Sequence, residues 1–109
     1  VNFRDYQERA AEFAVYENEC YPFIGLSEEV GEFVSFAAKM ARGDDMSKRY
    51  ATEHDLRMAV LKEAGDVLWQ LALCLKEYDL DMQDAAELNL QKLRDRSNRG
   101  VLRGYGDDR

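Results

Sequence analysis

The stretch Glu63-Ala64-Gly65-Asp66-Val67-Leu68-Trp69-Gln70-Leu71-Ala72-Leu73-Cys74-Leu75 decides how the rest of the chain reads. From Val67 to Leu75 almost every direction around a helix is apolar, so a helix here wants cover on all sides. A chain of 109 residues can hardly surround one helix completely. The economical solution is an all-α, four-helix-bundle-like protomer whose missing cover comes from a second copy, a homo-oligomer (dimer or tetramer). Two carboxylates interrupt the apolar pattern. With Glu63 at zero, Asp66 falls at about −60°, Gln70 at about −20° and Glu77 at about −40°, one narrow polar stripe on an apolar helix.

The neighbouring segments are also helical by spacing. The first is expected over about Phe3–Tyr16, the second over Phe23–Ala41, the third over Asp55–Tyr78 and the fourth over Met82–Asn98. Cys20-Tyr21-Pro22 should end the first helix, because the residue before proline avoids the helical region. Gly43 and Gly100 mark stops, the polar stretch 43–53 reads as a loop with some helix, and the tail 101–109 reads as irregular. No strand alternation, repeat or linker divides the chain, so 1–109 is read as one domain.

The second segment holds a matching acidic pair in Ser27-Glu28-Glu29-Val30-Gly31-Glu32-Phe33. Residues three apart share a helix face, so Glu29 and Glu32 are neighbours, as are Glu63 and Asp66. Such pairs ordinarily face solvent. Two of them on successive apolar helices, each beside a glycine (Gly31, Gly65) that would admit a close backbone or ligand, ask for a cation instead. Only oxygen ligands are on offer, which suits Mg²⁺, with Mn²⁺ as a substitute. Zinc is disfavoured: His54 sits in the polar stretch, and Cys20 and Cys74 are isolated. A di-iron carboxylate bundle would want Glu-x-x-His, which neither pair provides.

The fourth segment carries a basic face. With Asn89 at zero, Lys92 lies at about −60°, Arg96 at about −20° and Arg99 at about −80°. Aligned cations and an amide suit a polyphosphate, although a merely solvated face has the same look. Lys39 lies on roughly the same side, about two turns, roughly 10 Å, beyond Glu32. Trp69 suits a subunit contact as well as a base stack, and the contact is preferred. Glycines at 100, 104 and 106 would let the tail, with Tyr105 and its charges, close over a site. The net charge of −7, from 22 acidic and 15 basic residues, argues against a nucleic-acid polymer as partner. Two scattered cysteines demand no oxidising compartment, Cys74 reads as a buried hydrophobe, and no stretch reads as a leader or membrane span, so the cytoplasm is the default and no membrane is expected.

With these residues in view, the sequence resembles the MazG-like all-α nucleoside triphosphate pyrophosphohydrolases, whose signature is Glu-Glu-x-x-Glu followed by Glu-x-x-Asp. Here it stands as Glu28-Glu29-Val30-Gly31-Glu32 and Glu63-Ala64-Gly65-Asp66, flanked by Gly25-Leu26 and Val67-Leu68-Trp69. The ending Asn89-Leu90-Gln91-Lys92-Leu93, Arg96, Arg99-Gly100 and Gly104 to Arg109 is similar to small stand-alone members, viral ones included. The resemblance implies hydrolysis of (deoxy)nucleoside triphosphates to monophosphate and pyrophosphate, for nucleotide-pool control or house-cleaning. It implies a magnesium site at Glu29, Glu32, Glu63 and Asp66, with Glu28, turned about 100° away, behind the ion or as a base. Lys39, Asn89, Lys92 and Arg96 match positions that contact phosphate or sugar. A non-catalytic helical module, binding a metal or a partner through its acidic stripe, is the competing reading.

Overall fold

The computed structural model describes residues 1–107; Asp108 and Arg109, the end of the expected tail, lie outside the described residues. Four α-helices and no strand are found among the described residues: α1 (Phe3–Ala11), α2 (Tyr21–Ala41), α3 (Glu53–Glu77) and α4 (Met82–Asn98). Side-chain oxygens cap three of the starts. Asn2 accepts from the Asp5 amide, Thr52 from the Asp55 amide and Asp81 from the Gln83 amide, each satisfying an otherwise orphaned donor. α2 starts without a side-chain cap; Pro22 lies in its first turn, where its missing N–H costs nothing. That corrects the expected start at Phe23: the proline opens the helix rather than preceding it. The loop after α2 contains one 3₁₀ turn, Met46–Lys48. Gly43 and Gly100, at φ of 82° and 72°, follow the ends of α2 and α4 in the left-handed region that glycine adopts without strain.

α1 is shorter than its spacing suggested, ending at Ala11 instead of Tyr16. Leaving the helix allows Tyr16 to reach across: its hydroxyl donates to Glu77 Oε1 at 2.5 Å, and its ring stacks on Tyr21 with centroids 6.1 Å apart. Burial and that acceptor push the Tyr16 hydroxyl up to about 12.

α2 and α3 form the closest pair. They run antiparallel, since Gly25 lies against Gln70 whereas Phe33 and Met40 share a cleft with Leu56 and Leu61. Gly25 is the glycine that this packing requires: a Cβ there would stand 2.7 Å from Gln70 Oε1. Gly31 and Gly65, expected to admit a close backbone, have nothing within 4 Å of a would-be Cβ inside the chain. Gly31, six residues beyond Gly25 on α2, and Gly65, five residues before Gln70 on α3, do not share in that close contact.

α1 ties α3 to α4 through one buried amide. Gln7 Nε2 donates to the carbonyls of Ala72 (3.0 Å) and Leu80 (3.1 Å), and its Oε1 accepts from the Met82 amide at 3.0 Å. Both donors and the oxygen of a buried amide are thus engaged where the chain turns from α3 into α4. Arg4 adds an ion pair to Asp81 at 2.6 Å.

The core is small: Ala72, Leu73, Cys74 and Met82 are buried, with Phe36 and Ala10. Within the apolar run, Leu71 stays 37% exposed, and Val67, Leu68 and Trp69 are half-buried. The chain therefore does not surround this helix. Its radius of gyration is 17.1 Å, against about 13 Å for a closed domain of this size. The protomer is all-helical but open; α4 packs on α1 and does not join α2 and α3 in a closed bundle. Among the described residues no helix is long and apolar enough to cross a membrane.

Candidate active site

Three carboxylates converge between α2 and α3. One oxygen each from Glu29, Glu63 and Asp66 lies within 4.8 Å of the others. The Gly25–Gln70 contact, one turn earlier on α2 and one turn later on α3, holds the helices close enough for this. Glu29 and Glu63 are half-buried and Asp66 is exposed. The Glu29 carboxyl is held above its ordinary value of 4.5, first by burial and then by the charges of Asp66, Glu63, Glu28 and Glu32. Four neighbouring carboxylates thus act on it. A carboxylate crowded by other carboxylates is a costly arrangement without a cation.

Glu32 does not join the donor set. It lies one turn along α2, exposed, and its charge still reaches Glu29. Glu28 is likewise exposed and acts on Glu29 through charge. Further along the same stripe of α3, Gln70 is buried with Oε1 lacking a partner, and Glu77 accepts from Tyr16.

Beside Asp66 opens a cavity of about 520 Å³, lined by Tyr6, Arg9, Phe13 and Trp69 among others. Three of these come from α1 and the segment after it, which sequence spacing did not connect with the acids. Burial and the Asp66 charge push the Tyr6 hydroxyl up. The Trp69 indole N–H donates to the Ala10 carbonyl at 3.0 Å, which fixes the ring as a wall between this cavity and a second one containing Glu29, Tyr16 and Tyr21.

The basic residues stand elsewhere. Lys39 Nζ lies 5.9 Å from the Phe36 ring centroid, towards the end of α2. Asn89 is exposed on α4. Lys92 Nζ and Arg96 Nη2 both donate to Asp107 Oδ1, at 2.9 and 3.0 Å. Inside one chain they are spent on the tail and not on the acid cluster.

The family model described as MazG nucleotide pyrophosphohydrolase domain matches residues 23–101. The Gene 37 protein of Mycobacterium phage L5 is 32% identical over 113 residues, spanning 95% of this chain and 96% of that protein. No solved structure matches the chain.

Proposed function

The chain belongs to the MazG nucleotide pyrophosphohydrolase domain family, and from that premise we propose that it hydrolyses (deoxy)nucleoside triphosphates to the monophosphate and pyrophosphate. The observation that carries this reading is the convergence of Glu29, Glu63 and Asp66, with four neighbouring carboxylates raising the proton affinity of Glu29. Three carboxylate oxygens from two rigid helices fit a hard divalent cation, Mg²⁺ or Mn²⁺, which keeps positions for water and phosphate oxygens. Such an ion would supply Lewis acidity at the phosphates and make water more acidic.

The chain's own residues divide the remaining tasks. Glu28, next to the donor set and outside it, is suited to take a proton from the attacking water, and Glu32 adds negative charge beside the site. Lys39, Asn89, Lys92 and Arg96 bind the phosphates and sugar and offset charge as pyrophosphate leaves. The cavity beside Asp66, with Tyr6, Phe13 and Trp69 on its walls, receives the nucleoside.

A second copy completes the molecule. The apolar side chains Ile24, Val34, Leu61 and Leu71 remain exposed on α2 and α3, and large exposed apolar side chains suit an interface between proteins. A homo-oligomer covering them would also bring basic α4 faces towards acid clusters that do not meet α4 within one chain.

The test is product analysis on a panel of ribo- and deoxyribonucleoside triphosphates with Mg²⁺. Monophosphate and pyrophosphate, lost on chelation, are the expected products. No hydrolysis by folded protein with either Mg²⁺ or Mn²⁺ rejects the enzymatic reading and leaves the acidic stripe as a binding surface.

A further inference from the structure

Gly100, in the left-handed conformation, turns the chain back on itself after α4: the Val101 amide donates to the Arg96 carbonyl at 2.9 Å. Gly106 has a φ of 76°, a second reversal that only glycine takes without strain. The returning tail sets Asp107 against two cations one turn apart. Its Oδ1 accepts from Lys92 Nζ at 2.9 Å and from Arg96 Nη2 at 3.0 Å, and its backbone carbonyl accepts from Arg96 Nη2 at 3.1 Å.

The burial is lopsided. The Arg96 side chain is 6% exposed and that of Lys92 36%, whereas that of Asp107 is 80% exposed. With the tail in place Arg96 is covered and Lys92 partly so, while the carboxylate they share sits at the surface, on a strap that begins at Gly100 and turns again at Gly106. An oxygen accepting from a lysine ammonium and an arginine guanidinium together is what a phosphate oxygen would do in the same place. We propose that the Asp107 carboxylate is an internal stand-in for a substrate phosphate, so that the tail occupies the Lys92–Arg96 anion site and must swing away for a polyphosphate to bind. This rests on the reading of Lys92 and Arg96 as phosphate contacts.

The apparent affinity of a site that is covered part of the time falls by the fraction left open. Ion pairs to an exposed carboxylate are weak, so the expected penalty is about 3- to 10-fold. The experiment is calorimetric titration of the full-length chain with inorganic tripolyphosphate, a probe that needs no turnover. Asp107→Ala and Asp107→Asn should each tighten binding by about 3- to 10-fold. The gain should disappear in a Lys92→Ala background, since the two residues are then uncoupled. Tripolyphosphate should also speed tryptic cleavage after Arg103 in the unsubstituted chain. Unchanged affinity in both Asp107 variants overturns the proposal. Weaker affinity also overturns it, since the tail would then be positioning the two cations for the phosphate instead of competing with it. Tightening in a chain that hydrolyses no nucleotide keeps this inference and removes the enzymatic one; hydrolysis with unchanged tripolyphosphate affinity does the reverse.

Discussion

The two charged clusters of this molecule are balanced in opposite ways. On α4, Lys92 and Arg96 share a carboxylate supplied by the chain itself, and that carboxyl, Asp107, is held below its ordinary 3.8 by their hydrogen bonds and charge. Between α2 and α3, Glu29, Glu63 and Asp66 meet without an ion pair among the described residues, and Glu29 is pushed above its ordinary value instead. The first cluster is offset in part within the chain, two cations sharing one carboxylate; the second gathers like charge. The difference separates an ion pair that folding can complete from one that folding leaves open, and open charge clusters are where binding and chemistry concentrate.

The strongest way to break the comparison is to remove one acid. Asp66→Asn and Glu63→Gln should each lower kcat/KM by about 100-fold or more with the helical content unchanged. Glu32→Gln, outside the donor set, should cost less. Circular dichroism with steady-state rates on the best triphosphate checks this ranking, and a Glu32 variant as damaged as Asp66→Asn would mean that the ion gathers a fourth carboxylate.

A cation that fills the open cluster must also stabilise the fold. Mg²⁺ at about 100 times its dissociation constant should add about 2.7 kcal/mol, a rise in Tm of roughly 10–20 °C for a domain of this size. The same addition should do little to Asp66→Asn. A Tm indifferent to Mg²⁺ and Mn²⁺ in the unsubstituted chain would remove the distinction between the clusters.

Smaller effects come from the spacing of α2 and α3. Gly25→Ala places a methyl 2.7 Å from the Gln70 amide and should destabilise by about 1–3 kcal/mol, by overpacking. Gly31→Ala, with nothing within 4 Å in the chain, should stabilise by about 0.5–1 kcal/mol through helix propensity. Denaturant melts of the two variants test this, and equal effects would show that Gly25 does not set the separation at the acids.

The slightest effects are in the pH dependence of the metal-free chain, and they differ in sign. Asp107 has a lowered folded pKa, so its stabilisation is present above about 3.8 and is lost as pH falls through the lower folded value. Glu29 has a raised one, so its contribution is most favourable below about 4.5 and is lost as pH rises through the folded value. Stability of Asp107→Asn relative to the unsubstituted chain should therefore recover towards low pH. Glu29→Gln should gain on the unsubstituted chain towards high pH. Parallel profiles would contradict the opposed environments.

Much was legible from residue spacing alone. The helical class, the α4 boundaries, the helix-ending glycines and the buried Cys74 follow from periodicity and backbone chemistry, which act over a few residues. So does the facing of Glu63 and Asp66 with Gln70 and Glu77, because residues at these spacings share one side of any helix. The acidic pairs also marked where a cation would be sought. Spacing could not say that α2 would bring Glu29, and not Glu32, to the α3 pair. That depends on where the antiparallel helices touch, and Gly25 against Gln70 sets the level. Nor could it reveal Gln7 joining α3 to α4 or Asp107 returning to Lys92 and Arg96, contacts across 65 to 75 and 11 to 15 residues respectively. Local sequence determines which side of each helix is apolar, acidic or basic, since that needs only the helical repeat. Which charged sides meet, and which are left waiting for an ion or a phosphate, was decided by tertiary packing, because only the folded chain brings distant residues within reach of one another.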